Sequence, residues 1–249
     1  MNRKPFLIDQ KVPARWRLDA AVQFGREISI GVLPSGVTPK QLLSPYTRTL
    51  RKLQIAVGAP ETDYSFLEDF TALQSLDIWA TPTADIDFTK MSLVSLACRA
   101  EKSLRSIAYS RTIRILHLEN GSLDWLPANG ALEAFSLYAP RKVLNLTELS
   151  AQKELKVLDL TSKRELDVGP LAGMQSLSEI ELNSFSRIEN LAAIGKLPNL
   201  RAVTLEEIGH ISDALVLDQL RGREVKICVV GNQRWAEAYR RRNSPTRLR

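Results

Sequence analysis

Between residues 50 and 227 the chain repeats apolar residues in the order L-x-x-L-x-L, and this recurrence constrains its fold more than any other feature. The copies are LRKLQI at 50, LQSLDI at 73, LVSLAC at 93, IRILHL at 113, LEAFSL at 132, LKVLDL at 155, LSEIEL at 177, LRAVTL at 200 and a weaker GREVKI at 222. Successive starts lie 23, 20, 20, 19, 23, 22, 23 and 22 residues apart. Between copies an apolar residue falls on every third position, most clearly at Ile188, Leu191, Ile194, Leu197, Leu200 and Val203, and the spacing tightens to alternation at Leu205. The same triplets join Leu67, Phe70, Leu73 and Leu76. A lone amphipathic helix spaces apolar residues three and four apart and a lone strand alternates, so neither writes this pattern. Self-similarity at a period of roughly 20 to 29 residues marks a stacked repeat, each unit burying its apolar side chains against the next.

On these residues the chain resembles the leucine-rich repeat family, particularly the bacterial internalin-like kind with repeats of about 22 residues. The resemblance covers roughly residues 50 to 230. It implies an α/β solenoid with a parallel sheet on the concave side and short helical or extended segments on the convex side. One departure is visible. The family usually carries Asn three residues after the last strand leucine, where it bonds backbone between coils, whereas here Gly58, Thr81, Gly121, Lys163 and Phe185 stand there. Irregular curvature is the expectation.

The ends do not repeat. Residues 1–49 are expected to form an N-terminal cap, with a helix from Pro13 to Phe24 burying Trp16, Leu18, Ala21 and Val22, and with EISIGV from Glu27 as a degenerate first rung broken by Pro34, Gly36 and Pro39. The solenoid occupies 50–230, a C-terminal cap helix 231–242 through Trp235, Ala238 and Tyr239, and a disordered basic tail 243–249. The only cysteines, Cys98 and Cys228, form no CxxC or Cys/His cluster, which fits reduced thiols in a cytoplasm. The N-terminus has no apolar run of signal-peptide length, and no segment approaches the roughly 18 apolar residues that span a bilayer. A soluble cytoplasmic protein is expected.

Side chains alternate faces along a strand, so the residues between the leucines form the solvent face of the sheet. One column runs Gln54, Asp77, Ala97, His117, Ser136, Asp159, Glu181, Thr204, Lys226; the next runs Ala56, Trp79, Arg99, Glu119, Tyr138, Thr161, Asn183, Glu206, Cys228. The preceding column contributes Lys52 and Glu179. Two features mark this face. Trp79 and Tyr138 are aromatics of the kind that anchor interfaces, the alternative being that they pack on neighbouring side chains. Asp159, Glu179, Glu181 and Glu206 form an acidic cluster on a chain whose net charge is +6, which suggests a basic partner surface, the alternative being an ordinary solvated face.

Chemistry finds little support in the pattern. His117, Ser136 and Asp159 share a column, but a triad needs the imidazole between the hydroxyl and the carboxylate, and here Ser136 lies in the middle. His210 sits in a loop near Asp213 without further ligands, and no phosphate-binding glycine fingerprint appears. Basic residues gather at the two ends, Arg3, Lys4, Lys11, Arg15 and Arg17 at one and Arg240, Arg241, Arg242, Arg247 and Arg249 at the other, rather than as the continuous stripe that tracks phosphates. The expectation is a non-enzymatic scaffold without metal or cofactor that recognises a protein through Trp79, Arg99, His117, Glu119, Tyr138, Asp159, Glu179, Glu181 and Glu206. Within that class an inhibitor or immunity protein for a toxin is favoured; an exported effector binding a host protein and a nucleic-acid adaptor using the basic tail stay open.

Overall fold

The computed structural model describes residues 4–128, 130–231, 233, 235–237 and 239. The chain forms two compact units, residues 1–118 with 125–131, and residues 119–124 with 132–249. In the first, β1 (Phe6–Ile8), the helix α1 (Arg15–Gln23) and β2 (Ile28–Ile30) make a short β-α-β start. After helix α2 (Pro39–Leu43) follow β3 (Lys52–Ile55), β4 (Ser75–Ile78), β5 (Ser95–Arg99) and β6 (Ile115–Glu119), of which the last residue, Glu119, falls in the second unit. These strands lie side by side in chain order.

The second unit continues the motif with β7 (Ala134–Tyr138) and β8 (Val157–Thr161). From here each rung gains a short second strand on its return: β9 (Glu165–Asp167) before β10 (Glu179–Asn183), β11 (Arg187–Glu189) before β12 (Ala202–Glu206), and β13 (His210–Ile211) before helix α3 (Leu215–Gly222) and β14 (Lys226–Val230). The long strands form one parallel sheet in the order β7-β8-β10-β12-β14, and β9, β11 and β13 form a second, also parallel.

The period of three now has a cause. Most returns pass through a 3-10 helix, as at Ser65–Asp69, Lys102–Tyr109, Leu146–Ala151, Gly169–Gly173 and Leu191–Lys196. That helix has three residues per turn, so side chains three apart eclipse and point the same way. Leu191, Ile194 and Leu197 are buried accordingly, as are Leu104 with Ile107 and Leu146 with Leu149. The strand leucines close the core from the other side, among them Leu158, Leu160, Leu182 and Leu205, all fully buried. Without an asparagine ladder, the coils are tied largely by main-chain bonds, such as Ser186 N–H to the Arg164 carbonyl at 3.1 Å and Gly209 N–H to the Phe185 carbonyl at 2.8 Å. A Cβ on Gly209 would drive into the Ser186 carbonyl oxygen, so this approach requires glycine.

The cap corrects its sequence reading in one respect and adds to it in two. Trp16 is 70% exposed rather than buried, because it stands on the helix face opposite Leu18, Ala21 and Val22, which are buried. Phe6–Ile8 forms a strand beside β2 that no periodicity announced. The Pro39 region begins a helix, with Pro39 in its first turn and a capping box between Thr38 and Gln41.

The last rung is displaced by two residues. Val203 lies opposite Ile227 and Thr204 opposite Cys228, so Cys228 takes the column assigned to Lys226, and Val230 lies opposite Glu206. A slip of two keeps every side chain on its own face, and the alternation of Val225, Ile227 and Val229 accommodates either register. His210 is part of a strand paired with Arg187, not of a loop. Near the C-terminus, Trp235–Glu237 and Tyr239 are helical, and Ala236 and Tyr239 are buried. The Trp235 indole N–H donates to the Ile208 carbonyl at 2.6 Å. Ala238 and the basic tail fall outside the described residues.

Candidate functional site

On the open face of the second unit's sheet, register brings Asp159 directly opposite Glu181, and Glu181 opposite Thr204. Neighbouring strands run about 4.8 Å apart, so the two carboxylates share one small volume. Glu206, one position pair further along β12, stands diagonal to Glu181. Among the described residues, none of Asp159, Glu179, Glu181 and Glu206 forms an ion pair. The Glu181 carboxyl is held above the usual carboxylate range by burial and then by the charges of Asp159 and Glu206.

Two side chains partly answer this field by hydrogen bonding. The Tyr138 hydroxyl donates to Asp159 Oδ2 at 2.7 Å, and Asn183 Nδ2 donates to Glu206 Oε2 at 2.9 Å. The Tyr138 phenol is pushed up to about 12, first by that hydrogen bond, then by burial and by the charges of Asp159 and Glu181. It therefore remains a donor at neutral pH. Tyr138 is nonetheless 43% exposed, so its hydroxyl is anchored while much of the residue stays open to solvent. Ser136, opposite Asp159, is buried.

The first unit's open face is built differently. Ser29, Gln54, Asp77 and Ala97 follow one another across β2 to β5, and Ser29 Oγ donates to Gln54 Oε1 at 2.6 Å. Burial raises the Asp77 carboxyl, and the His117 imidazole pulls it back. Burial also raises Glu27, aided by Asp77 and opposed by Lys52. Each acid here has a cationic or ionisable base in its field. Trp79, directly after β4, Arg99, at the end of β5, and His117, on β6, are half-buried; Glu119, the last residue of β6, is half-buried and belongs to the second unit.

The structure thus brings together Tyr138, Asp159, Glu181 and Glu206. Glu179 lies exposed on the same strand face as Glu181, at the far end of β10. Asp77 and Glu27 are further acids in the field of the first unit's face that the sequence does not single out. Asp77 stands in the central column, and the alternation of Ile28 and Ile30 aligned with Leu53 and Ile55 is the signal that places Glu27 beside Lys52. Among the described residues no group of three or more His, Cys, Asp or Glu is arranged to hold a metal ion, and no helix is long and apolar enough to cross a membrane.

No family model and no curated protein matches the chain. Among solved structures it is similar to an internalin, inlF, of Listeria monocytogenes, with 16% identity over 91% of this chain and 67% of that one and a TM-score of 0.55. A second Listeria monocytogenes internalin, inlC2, aligns over 84% of this chain and 73% of that one at 18% identity, with a TM-score of 0.34. The fold is the α/β leucine-rich repeat solenoid.

Proposed function

We propose that the protein is a non-catalytic recognition scaffold that docks a basic protein surface on the open sheet face of its second unit. The observation that carries this reading is the cluster of Asp159, Glu181 and Glu206, three carboxylates on adjacent strands without an ion pair among the described residues, beside the partly exposed Tyr138. Their mutual repulsion is a standing cost that a lysine- or arginine-bearing partner removes on binding. Tyr138 supplies the apolar anchor, its hydroxyl already fixed on Asp159, so little rotamer freedom is lost in association. Glu179 extends the same field. On the first unit Trp79, Arg99 and His117, with Glu119 at the end of β6, are assigned as further contact residues.

The test is capture from a lysate of the source organism at low salt, with the partner identified by mass spectrometry and then titrated in purified form. Wild type is expected to bind a basic protein whose affinity falls as salt rises. Glu181→Lys with Glu206→Lys is expected to weaken binding at least about a hundredfold, and Tyr138→Ala about thirtyfold. A partner held equally by wild type and both variants would overturn the reading.

A further inference from the structure

Beyond the ends of β7, β8 and β10 the surface of the second unit carries an open cavity of about 300 Å³, at which Lys163 and Arg164 are exposed. Ala139 and Pro140 contribute its apolar side, Ser162 and Ser184 its hydroxyl-bearing side, and Lys163 and Arg164 its cationic side. No carboxylate lines it. The cavity stands apart from the acidic face and shares none of the residues assigned there.

Its frame is main chain. Ala139 N–H donates to the Thr161 carbonyl at 3.0 Å, Ser162 N–H to the Asn183 carbonyl at 3.1 Å and Ser184 N–H to the Glu206 carbonyl at 2.9 Å. Ala139 and Ser184 hold left-handed backbone, with φ of 48° and 62°, and turn the chain away from the strands on either side of Lys163 and Arg164. The cations are thus carried on a bonded framework. Among the described residues neither forms an ion pair. The Arg164 side chain makes one long bond, from Nη2 to the Arg141 carbonyl at 3.4 Å, which leaves most of its donor fork unused.

Two consecutive cations at an apolar-walled cavity repel each other and would repel a third. A neutral ligand would leave them uncompensated. An oxyanion satisfies both, because guanidinium presents paired donors that match its oxygens and ammonium adds a compact charge. We propose that this cavity is a subsite for an oxyanion carried on an apolar body, a carboxylate or a phosphate monoester.

The experiment titrates the full chain by calorimetry at constant ionic strength with N-acetyl-L-phenylalanine, phenyl phosphate and, as the uncharged control, N-acetyl-L-phenylalanine amide. Saturable binding of at least one anion is expected, without saturable binding of the amide. The tighter of the two anions identifies the oxyanion the site prefers. Binding is expected to weaken at least about tenfold in Lys163→Met with Arg164→Met, and likewise in Lys163→Glu, a change at an exposed side chain that serves if the double variant does not fold. The proposal is overturned by the absence of saturable anion binding, by equal binding of the amide, or by affinity unchanged in the folded variants.

Discussion

In the first unit the Asp77 carboxyl has the His117 imidazole in its field and Glu27 has Lys52, whereas in the second unit Asp159, Glu181 and Glu206 face one another. Both faces stand on the same strand motif, with the same positions turned outward. The returns differ as well. In the first unit, the described counterpart of the second sheet is a single bridge between Thr62 and Pro82, while the second unit completes three paired strands. The three spacings between the repeats starting at 73 and 132 are 20, 20 and 19 residues, and each of the extra strands β9, β11 and β13 falls in a spacing of 22 or 23 residues. A shared frame therefore leaves two things free: how each return is built, and whether the charges on the open face are answered.

The comparison can be broken hardest in the second sheet. Ile188 is fully buried on β11, and Ile188→Ala is expected to cost about 3 kcal/mol, read from denaturant unfolding. Amide exchange in β9, β11 and β13 should accelerate more than in β3 to β5; β11 amides that stay slow would show that the second sheet does not depend on this side chain. Gly209→Ala comes next, at about 2 kcal/mol, because the added methyl meets backbone rather than a side chain that can move. A variant as stable as wild type would mean that the coils can separate there at little cost.

The charge contrast is sharpened by two isosteric changes. Glu181→Gln is expected to stabilise by about 0.5 kcal/mol at neutral pH, the scale of a like-charge cross-strand pair. The folded chain binds the Glu181 proton more tightly than the unfolded chain does, so the charged form destabilises. That penalty is absent below the ordinary carboxylate range and grows as pH rises through the raised one, so the gain from Gln is full at neutral pH and vanishes in acid. Its like-charge part, due to Asp159 and Glu206, should also shrink in about 1 M salt. Asp77→Asn should show a gain that salt does not shrink, because burial is the cause of the Asp77 shift and the His117 charge, which salt also screens, only opposes it. Equal salt responses of the two variants would erase the distinction between the faces. The smallest effect is spectroscopic. Asp159→Asn should move the Tyr138 phenol from about 12 towards the ordinary value, followed by absorbance in alkaline titration. A phenol that still titrates as high would assign the shift to burial instead of to the hydrogen bond.

Much of the frame is legible in the sequence. L-x-x-L-x-L names the strands because alternation separates core from surface, and the triplets name the returns because a 3-10 helix repeats every three residues. Tyr138, Asp159, Glu181 and Glu206 followed from counting outward positions, and register does place them on one face. The failures lie where that arithmetic is degenerate or local. Val225, Ile227 and Val229 alternate, so a shift of two residues changes no face, and only pairing with β12 sets the rung. The apolarity of Trp16 points to the core, although the buried positions of its helix are Leu18, Ala21 and Val22.

The sequence by itself determined the repeat, its strands and the side of the sheet each residue occupies, because these depend only on spacing along one chain. Which carboxylates are answered was decided by the tertiary structure. Lys52 reaches the field of Glu27 and His117 that of Asp77, while Glu181 meets Asp159 and Glu206, because partners across rungs are chosen by register and side-chain reach in space. The cavity at Lys163 and Arg164 has the same origin, since its walls come from three successive returns that only stacking brings together.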